Sequence, residues 1–281
     1  MALLTTTRYF PSITIVQPPT ANQPPRKARD SRQLHQGTKE VSARGPPRGE
    51  GQGTTPLRGS AADDRLIGHD GPDRINGYNG NDTISGRGGD DDLWGADGQD
   101  LLRGGPGNDT LHGNDGDDDL SGQAGNVSIW GYHNDDTLRG GAGADSLIGG
   151  MGNDFLNGGE DEDQLSGGIG DDTLIGGDGN DRLRGGKDDD LLEGGDGNDS
   201  LNGNRGDDGL LGGDGNDRLN ARWGNDELDG GEGNDVLSSR SDAGEPEIAQ
   251  ETDVEQVYGD QPFANSSDIL TGGPGADKFK F

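Results

Sequence analysis

A nine-residue periodicity governs positions 59–238 of this 281-residue chain, and it constrains the fold more than any other feature. The register runs through twenty units without an insertion, as in GYNGNDTIS at 77–85 and GGDGNDRLN at 212–220. Column one is Gly in nineteen units, and Ala221 is the exception. Column six is Asp in every unit except one, which has Val127, and column eight is always apolar. A chain without a fold would not keep one Leu or Ile in every unit.

The period does not fit an amphipathic helix, which places apolar residues at i, i+3, i+4 and i+7. Gly and Asp are also poor helix formers. The first six columns consist mainly of Gly, Asn and Asp, which favour turns. Columns seven to nine alternate between outward and inward positions, as in Arg218-Leu219-Asn220. Each unit is therefore predicted to be a six-residue turn followed by a three-residue strand.

The amino-acid composition indicates that such a fold needs counter-ions. The chain has 57 Gly, only 25% hydrophobic residues and a formal net charge of −31, which is typical of a disordered polyanion. Stacked strands lie about 4.8 Å apart, so aspartates in successive coils would repel one another. Gly-rich turns can direct carbonyl oxygens into one space, and carbonyl and carboxylate oxygens suit Ca²⁺. Soft ligands are scarce, because the chain has no Cys and its four His occupy different columns.

With these residues in place, the chain resembles the RTX (repeats-in-toxin) hemolysin-type calcium-binding nonapeptide repeat family over 59–238. The tail segments VEQVYGD (254–260) and SDILTGGPGADKFKF (267–281) resemble degenerate terminal repeats, with Leu270 and Phe279 in the apolar column. The resemblance implies an all-β fold: a right-handed parallel β-roll (β-solenoid) of about ten coils. Two units make one coil, so units n and n+2 stack on the same side.

The resemblance also implies that Ca²⁺ lies between turns n and n+2, held by column-six carboxylates and turn carbonyls. For one such gap it implies Asp181 and Asp199, with backbone oxygens from Gly177, Gly179, Gly194 and Asp196. The array would hold multiple Ca²⁺, at most about eighteen. The predicted metal ligands are Asp64, Asp73, Asp82, Asp91, Asp100, Asp109, Asp118, Asp136, Asp145, Asp154, Asp163, Asp172, Asp181, Asp190, Asp199, Asp208, Asp217, Asp226, Asp235 and Asp277.

Some units depart from the pattern. Val127 replaces Asp in unit eight, so the gaps from unit six to eight and from eight to ten each lose a carboxylate. Our hypothesis is a weak or empty calcium site there, at the join of two blocks. Column four has Ala62, Asn134, Asp161 and Asp188 in place of Gly, and Asp161 and Asp188 are expected to keep a carbonyl ligand without glycine's conformational freedom.

Three segments are predicted: a disordered, basic, Pro-rich arm at 1–58, the β-roll at 59–238, and an acidic linker with degenerate repeats at 239–281. No apolar run is long enough for a membrane span, and no clear export signal is readable. The acidic array should repel nucleic acid. The leading interpretation is a calcium-binding protein without catalysis that is secreted or extracellular, either free or associated with the cell surface, and whose protein partner is unknown.

Two alternatives remain open at this point. In the first alternative, the chain is the repeat portion of a secreted RTX hydrolase or cytolysin whose catalytic domain is missing. In the second, it is a cell-surface structural or adhesion spacer. No H-E-x-x-H or G-x-S-x-G motif supports an enzyme in this sequence. Trp94, Trp130 and Trp223 are isolated along the chain, which favours outward or turn-packing roles over sugar stacking.

Overall fold

The computed structural model describes residues 39–42, 56–239, 269–271 and 278–280, and these residues form strands and turns without a helix. None of the described segments could therefore cross a membrane as a helix. All the strands belong to one compact unit, Gly37–Phe281. They are β1 Lys39–Ser42, β2 Leu57–Arg58, β3 Asp64–Ile67, β4 Arg74–Asn79, β5 Thr83–Ser85, β6 Asp92–Asp97, β7 Leu101–Pro106, β8 Thr110–Asp115, β9 Asp119–Ala124, β10 Ser128–His133, β11 Thr137–Ala142, β12 Ser146–Met151, β13 Phe155–Glu160, β14 Gln164–Ile169, β15 Thr173–Asp178, β16 Arg182–Lys187, β17 Leu191–Asp196, β18 Ser200–Arg205, β19 Gly209–Asp214, β20 Arg218–Trp223, β21 Glu227–Asp229, β22 Val236–Ser238, β23 Ile269–Thr271 and β24 Lys278–Lys280.

The strands form two twelve-stranded parallel sheets. Sheet A contains the odd-numbered strands and sheet B the even-numbered strands, each in chain order. Within the repeats, each strand pairs with the strand two units away, so that Leu147 on β12 lies opposite Leu165 on β14. One coil is therefore eighteen residues long, which confirms the predicted parallel β-solenoid with two units per coil.

Most strands are longer than the predicted three residues. β14, for example, covers Gln164–Ile169, which is columns seven to nine of one unit and columns one to three of the next. The column-one residues are mostly buried, and their backbone continues the strand in the sheet. A glycine at this position lets neighbouring coils approach closely. The turns are correspondingly shorter, and columns four to six form the bends at the two edges of the sheets.

The core lies between the two sheets and consists of column eight. All twenty column-eight side chains are buried, and each stacks on the equivalent residue of the next coil: Leu66, Ile75, Ile84, Leu93, Leu102, Leu111, Leu120, Ile129, Leu138, Leu147, Leu156, Leu165, Leu174, Leu183, Leu192, Leu201, Leu210, Leu219, Leu228 and Leu237. One large apolar side chain per nine residues is a thin core, so the turns must contribute to stability.

The sheets extend beyond the regular repeats. In the C-terminal segment, Leu270 pairs with Leu228, and Phe279 pairs with Leu237, as expected for the apolar column of terminal repeats. At the other end, β1 pairs with β3 and β2 with β4. These two strands fall within the segment predicted to be an arm. The remainder of 1–58 lies outside the described residues, and the proposed segment boundaries stay predictions.

Candidate metal centres along the two edges

The turns of the repeats form two parallel columns of aspartates. We call them the even edge and the odd edge, after the parity of the units counted from Gly59. The even edge holds Asp73, Asp91, Asp109, Val127, Asp145, Asp163, Asp181, Asp199, Asp217 and Asp235. The odd edge holds Asp64, Asp82, Asp100, Asp118, Asp136, Asp154, Asp172, Asp190, Asp208 and Asp226. Nearly all these side chains are buried, so each edge carries a buried row of carboxylates.

From Asp82 and Asp91 onward, one oxygen of each carboxylate links two coils. The backbone N–H of Asp181 donates to Oδ1 of Asp199 at 2.7 Å, and the N–H of Asp163 donates to Oδ1 of Asp181 at 2.8 Å. The same bond repeats along both edges at eighteen-residue spacing. It places the carboxylates of successive coils beside each other in a fixed orientation, because the backbone amides that hold them belong to paired strands and turns.

The other oxygen has no hydrogen-bond partner in the part of the chain that the structure describes. This holds for Oδ2 of Asp82, Asp91, Asp100, Asp109, Asp118, Asp136, Asp145, Asp154, Asp163, Asp172, Asp181, Asp190, Asp199, Asp208 and Asp217, all of which are buried. Buried polar atoms without a partner are rare, and a row of them indicates that an ion belongs there. A cation is the group that a charged acceptor without a donor would bind.

Column-one glycines leave room beside these oxygens. A Cβ added to Gly176 would lie closer than 3.0 Å to Oδ2 of Asp181 and 2.5 Å from the carbonyl oxygen of Gly194 on the next coil. The carboxylate of one coil and a carbonyl of the next therefore border one small space. That space persists only because residue 176 has no side chain, which explains physically why column one is Gly.

The carboxylates are unfavourable as bare anions in this environment. Burial, with a smaller contribution from neighbouring aspartates, raises the pKa of Asp91, Asp136 and Asp190 to about 8. Burial likewise raises the pKa of Asp82 and Asp109 to about 6, against the lowering effect of a backbone hydrogen bond. A carboxylate whose pKa is raised destabilises the fold at a pH where it is ionised, unless a cation neutralises it.

The backbone oxygens predicted for the gap between Asp181 and Asp199 stay predictions, and the structure shows where two of them lie. A Cβ added to Gly195 or Gly197 in the next coil would lie closer than 3.0 Å to the carbonyl oxygen of Gly177 or Gly179, respectively. The carbonyl of Asp196 already accepts a 2.8 Å hydrogen bond from the N–H of Gly179. Carboxylate and backbone carbonyl oxygens thus both occur at this edge. This hard oxygen donor set fits Ca²⁺, which takes six to eight such ligands.

No cluster of three or more His, Cys, Asp or Glu side chains arranged for a metal occurs among the described residues. The geometry accounts for this, since each gap brings together two carboxylates and otherwise only backbone oxygens. The ligand roles of the individual aspartates therefore stay predictions. Asp277, the last of them, lies outside the described residues.

A second hydrogen-bond ladder runs along column five in the opposite direction. The backbone N–H of Asn198 donates to Oδ1 of Asn180 at 2.9 Å, and that of Asn216 donates to Oδ1 of Asn198 at 3.0 Å. The side-chain amide of Asn216 bonds the same oxygen at 3.0 Å. These exposed Asn and Asp side chains fix the turns from outside while the column-six carboxylates fix them from inside. The sequence analysis did not predict this ladder, although the frequent Asn in column five signals it.

Unit eight keeps the backbone pattern but not the carboxylate. Val127 is buried, and its N–H still donates to Oδ1 of Asp145 at 2.8 Å. Its own side chain offers no oxygen to the preceding coil. An added Cβ at Gly122 would meet the two Val127 methyl groups at 2.5 and 2.8 Å, where other units present Oδ2. Hydrocarbon therefore occupies the place of the carboxylate, while strand pairing continues through β10 without a break.

Column four has a positive φ in most units, and three of its four departures from Gly share it. Asn134, Asp161 and Asp188 have φ values of 73°, 77° and 73°. Asn and Asp tolerate this region better than other residues with a side chain. These three turns therefore keep a positive φ as the column-four glycines do, and a Cβ added to Gly152, Gly179 or Gly206 would meet their carbonyl oxygens.

The aromatic residues of sheet B are not isolated, which corrects the sequence-based interpretation. Trp94, His112 and Trp130 lie side by side on β6, β8 and β10. The ring centroids of Trp94 and His112 are 4.2 Å apart, and those of His112 and Trp130 are 4.9 Å apart. Nδ1 of His112 also lies 3.0 Å from the hydroxyl of Tyr132. Their spacing of eighteen residues is the signal that would have predicted this stack.

No curated protein matched the chain. Among solved structures, one similar chain comes from the X-ray crystal structure of a hyperactive, Ca²⁺-dependent, β-helical antifreeze protein from an Antarctic bacterium. The two chains are 20% identical, with a TM-score of 0.43, and the match covers 86% of this chain and 83% of that one.

The model of the RTX calcium-binding nonapeptide repeat (four copies) matches the chain at 58–93, 94–129, 112–147, 130–165, 166–201, 175–210 and 202–237. These matches run without a gap over more than half of the chain, through the same units whose carboxylates form the two edges. The chain therefore belongs to the family of RTX calcium-binding nonapeptide repeats.

Proposed function

We propose that this protein binds several Ca²⁺ ions between successive turns of both edges and that it becomes compact only when they are bound. The observation that carries the proposal is the row of buried Oδ2 atoms without hydrogen-bond partners. The column-six aspartates would hold the ions together with turn carbonyls. Bound Ca²⁺ supplies the positive charge that neutralises these carboxylates. The chain itself contributes preorganised oxygens, and the column-one glycines keep the space open.

Charge and core size support calcium-dependent folding. Residues 59–281 have a net charge of −37, and the core of the array is a single column of Leu and Ile between the sheets. When the site exists only in the folded chain, the free energy of metal binding adds to the free energy of folding. Sites of extracellular modules have a Kd of about 10⁻⁴–10⁻³ M. At 10 mM Ca²⁺ each such site stabilises the fold by about 1.4–2.7 kcal/mol.

This affinity range implies a place of action. Cytosolic calcium is far below such a Kd, so the chain would stay unfolded inside a cell and fold after export. We infer that the protein is secreted and acts outside the cell without catalysis of its own. The absence of an H-E-x-x-H or G-x-S-x-G motif in the printed sequence supports this.

Far-UV circular dichroism of the full chain during titration with CaCl₂ tests the proposal, with MgCl₂ as the control. We expect a β-sheet signal that appears cooperatively with Ca²⁺. Mg²⁺ should not replace it, because Mg²⁺ demands octahedral geometry and keeps several waters. An equally ordered chain in excess EDTA would overturn the proposal.

A further inference from the structure

Sheet B has a basic face in its C-terminal part. The outward positions of β16, β18 and β20 carry Arg182, Arg184, Lys187, Arg205, Arg218 and Arg222, and all six side chains are exposed. These three strands contain no Asp or Glu. The six residues are half of all Lys and Arg between positions 56 and 239. We call this surface the basic face.

The opposite sheet shows the reverse pattern in the same coils. Strands β15, β17, β19 and β21 contain no Lys or Arg. They carry Asp178, Glu193, Asp196, Asp214, Glu227 and Asp229. Within the part of the chain that the structure describes, none of the six basic side chains forms an ion pair with a carboxylate. The charges are therefore separated by sheet, and the six cations remain available to a ligand.

One corner of the basic face combines a cation with an aromatic ring. The guanidinium carbon of Arg205 lies 5.4 Å from the centre of the Trp223 ring. The two side chains line a shallow depression with Gly206, Gly224 and, at its margin, Asp189 and Asp207. An aromatic ring packs against the apolar side of a flat ligand, while Arg binds carboxylates through paired N–H groups. A ring-shaped ligand that bears a carboxylate matches both properties.

We propose that the basic face binds a single chain of an acidic polysaccharide that bears carboxylates. The strands are six residues long, so the face is about 20 Å wide, and its three strands lie about 4.8 Å apart. Asp189 and Asp207 line the depression at one side of the face, and the whole chain is strongly acidic. A narrow carbohydrate chain fits between these margins, whereas a nucleic-acid duplex would bring further phosphates close to the acidic edges.

The test uses the full chain in 10 mM free Ca²⁺, with folding checked by circular dichroism, because the basic face exists only in the folded array. A hexamer of galacturonic acid is titrated at low and high NaCl and monitored by calorimetry and tryptophan fluorescence. Its methyl ester, which has no charge, is the ligand control. We expect binding of the acid, weakened by salt, and no binding of the ester.

Two triple variants separate the basic face from total charge. The variant with Arg182→Gln, Arg184→Gln and Arg218→Gln removes three exposed cations from the face. The control with Arg58→Gln, Arg87→Gln and Arg103→Gln removes three exposed cations elsewhere and changes the net charge equally. We expect the first variant to bind the hexamer at least tenfold more weakly, and the second to bind within twofold of the parent.

Several results would overturn the inference while the circular dichroism still shows a folded protein. Equal loss in both triple variants would mean that only net charge matters. Binding of the ester would remove the role of the carboxylates. Tighter binding of a single-stranded oligonucleotide of equal charge would assign the face to nucleic acid. Self-association that salt abolishes, without hexamer binding, would assign it to a second copy of this chain. A chain that stays unfolded in Ca²⁺ would instead refute the proposed function.

Discussion

The even edge contains two regions that share a backbone but differ in chemistry. Around Asp181, carboxylates occupy every coil, and each has a buried oxygen without a hydrogen-bond partner. Around Val127, two methyl groups replace the carboxylate, yet the amide ladder and the strand register continue. The comparison shows that the coil geometry does not itself depend on a carboxylate at each position. What the carboxylate adds is a buried oxygen without a hydrogen-bond partner, which we propose as the place for a cation.

The region around Val127 also has a feature that the region around Asp181 lacks. Trp130 belongs to the same unit and stacks against His112, which in turn packs against Trp94. Burial lowers the pKa of His112, so the stack is uncharged near neutral pH. We interpret the aromatic stack as a contact that compensates on the outer face for what this coil loses at its edge.

Placing a Val at position 181, as the chain has at position 127, should have the largest effect on stability. Asp181→Val removes a carboxylate from two gaps, so the protein should lose about 3–5 kcal/mol of stability in 10 mM Ca²⁺. Equilibrium dialysis should show about two fewer ions. Loss confined to coils near residue 181 is expected for a solenoid stabilised by nearest neighbours. A uniform loss of amide protection along the whole array at saturating Ca²⁺ would contradict this.

The reverse substitution should have the opposite sign and a somewhat smaller size. Val127→Asp restores the carboxylate beside Asp109 and Asp145, so calorimetry should detect additional ions and a lower midpoint of folding in Ca²⁺. The gain should be about 2–4 kcal/mol at 10 mM Ca²⁺, since the new anion also repels its neighbours. An unchanged ion count would mean that the gaps at unit eight already bind Ca²⁺.

Filling the small space beside one column-one glycine should affect the single calcium gap that this space borders. Gly176→Ala places a methyl group against Oδ2 of Asp181 and the carbonyl of Gly194. We expect one ion fewer and a loss of about 2 kcal/mol that depends on Ca²⁺. Gly122→Ala is the matched control, because its methyl group meets Val127 instead of a carboxylate. Equal changes in ion count for both variants would refute the proposal that the space beside Gly176 belongs to a calcium site.

The smallest effect is expected for the aromatic stack. Trp130→Leu keeps an apolar residue on β10 but removes the ring contact with His112, which should cost about 1 kcal/mol. Urea unfolding in saturating Ca²⁺ measures this loss, and the ion count should not change. Trp223→Leu is the control, since Trp223 contacts Arg205 outside the stack. A change in ion count for Trp130→Leu would show that the stack shapes a calcium site.

Much of the site was predictable because the repeat is nearly invariant. A column that is Asp in nineteen of twenty units, in a chain without Cys, indicates a hard cation whatever the details of the coil. The same regularity identified Val127 as the departure. The lengths of the strands were wrong, because Gly in columns one and two was taken for turn alone. In the structure, Gly140 and Gly141 belong to the ladder of β11.

The sequence by itself determined the period, the apolar column and the carboxylate column, since these are properties of each unit taken alone. The resemblance implied that units n and n+2 stack, and the tertiary structure decided which outward side chains this stacking brings together. Because a coil contains two units, residues eighteen apart become adjacent while residues nine apart lie on opposite sides. This separation brought Trp94, His112 and Trp130 into one stack. It also placed Arg184 and Arg205 on one sheet and Glu193 and Asp196 on the other.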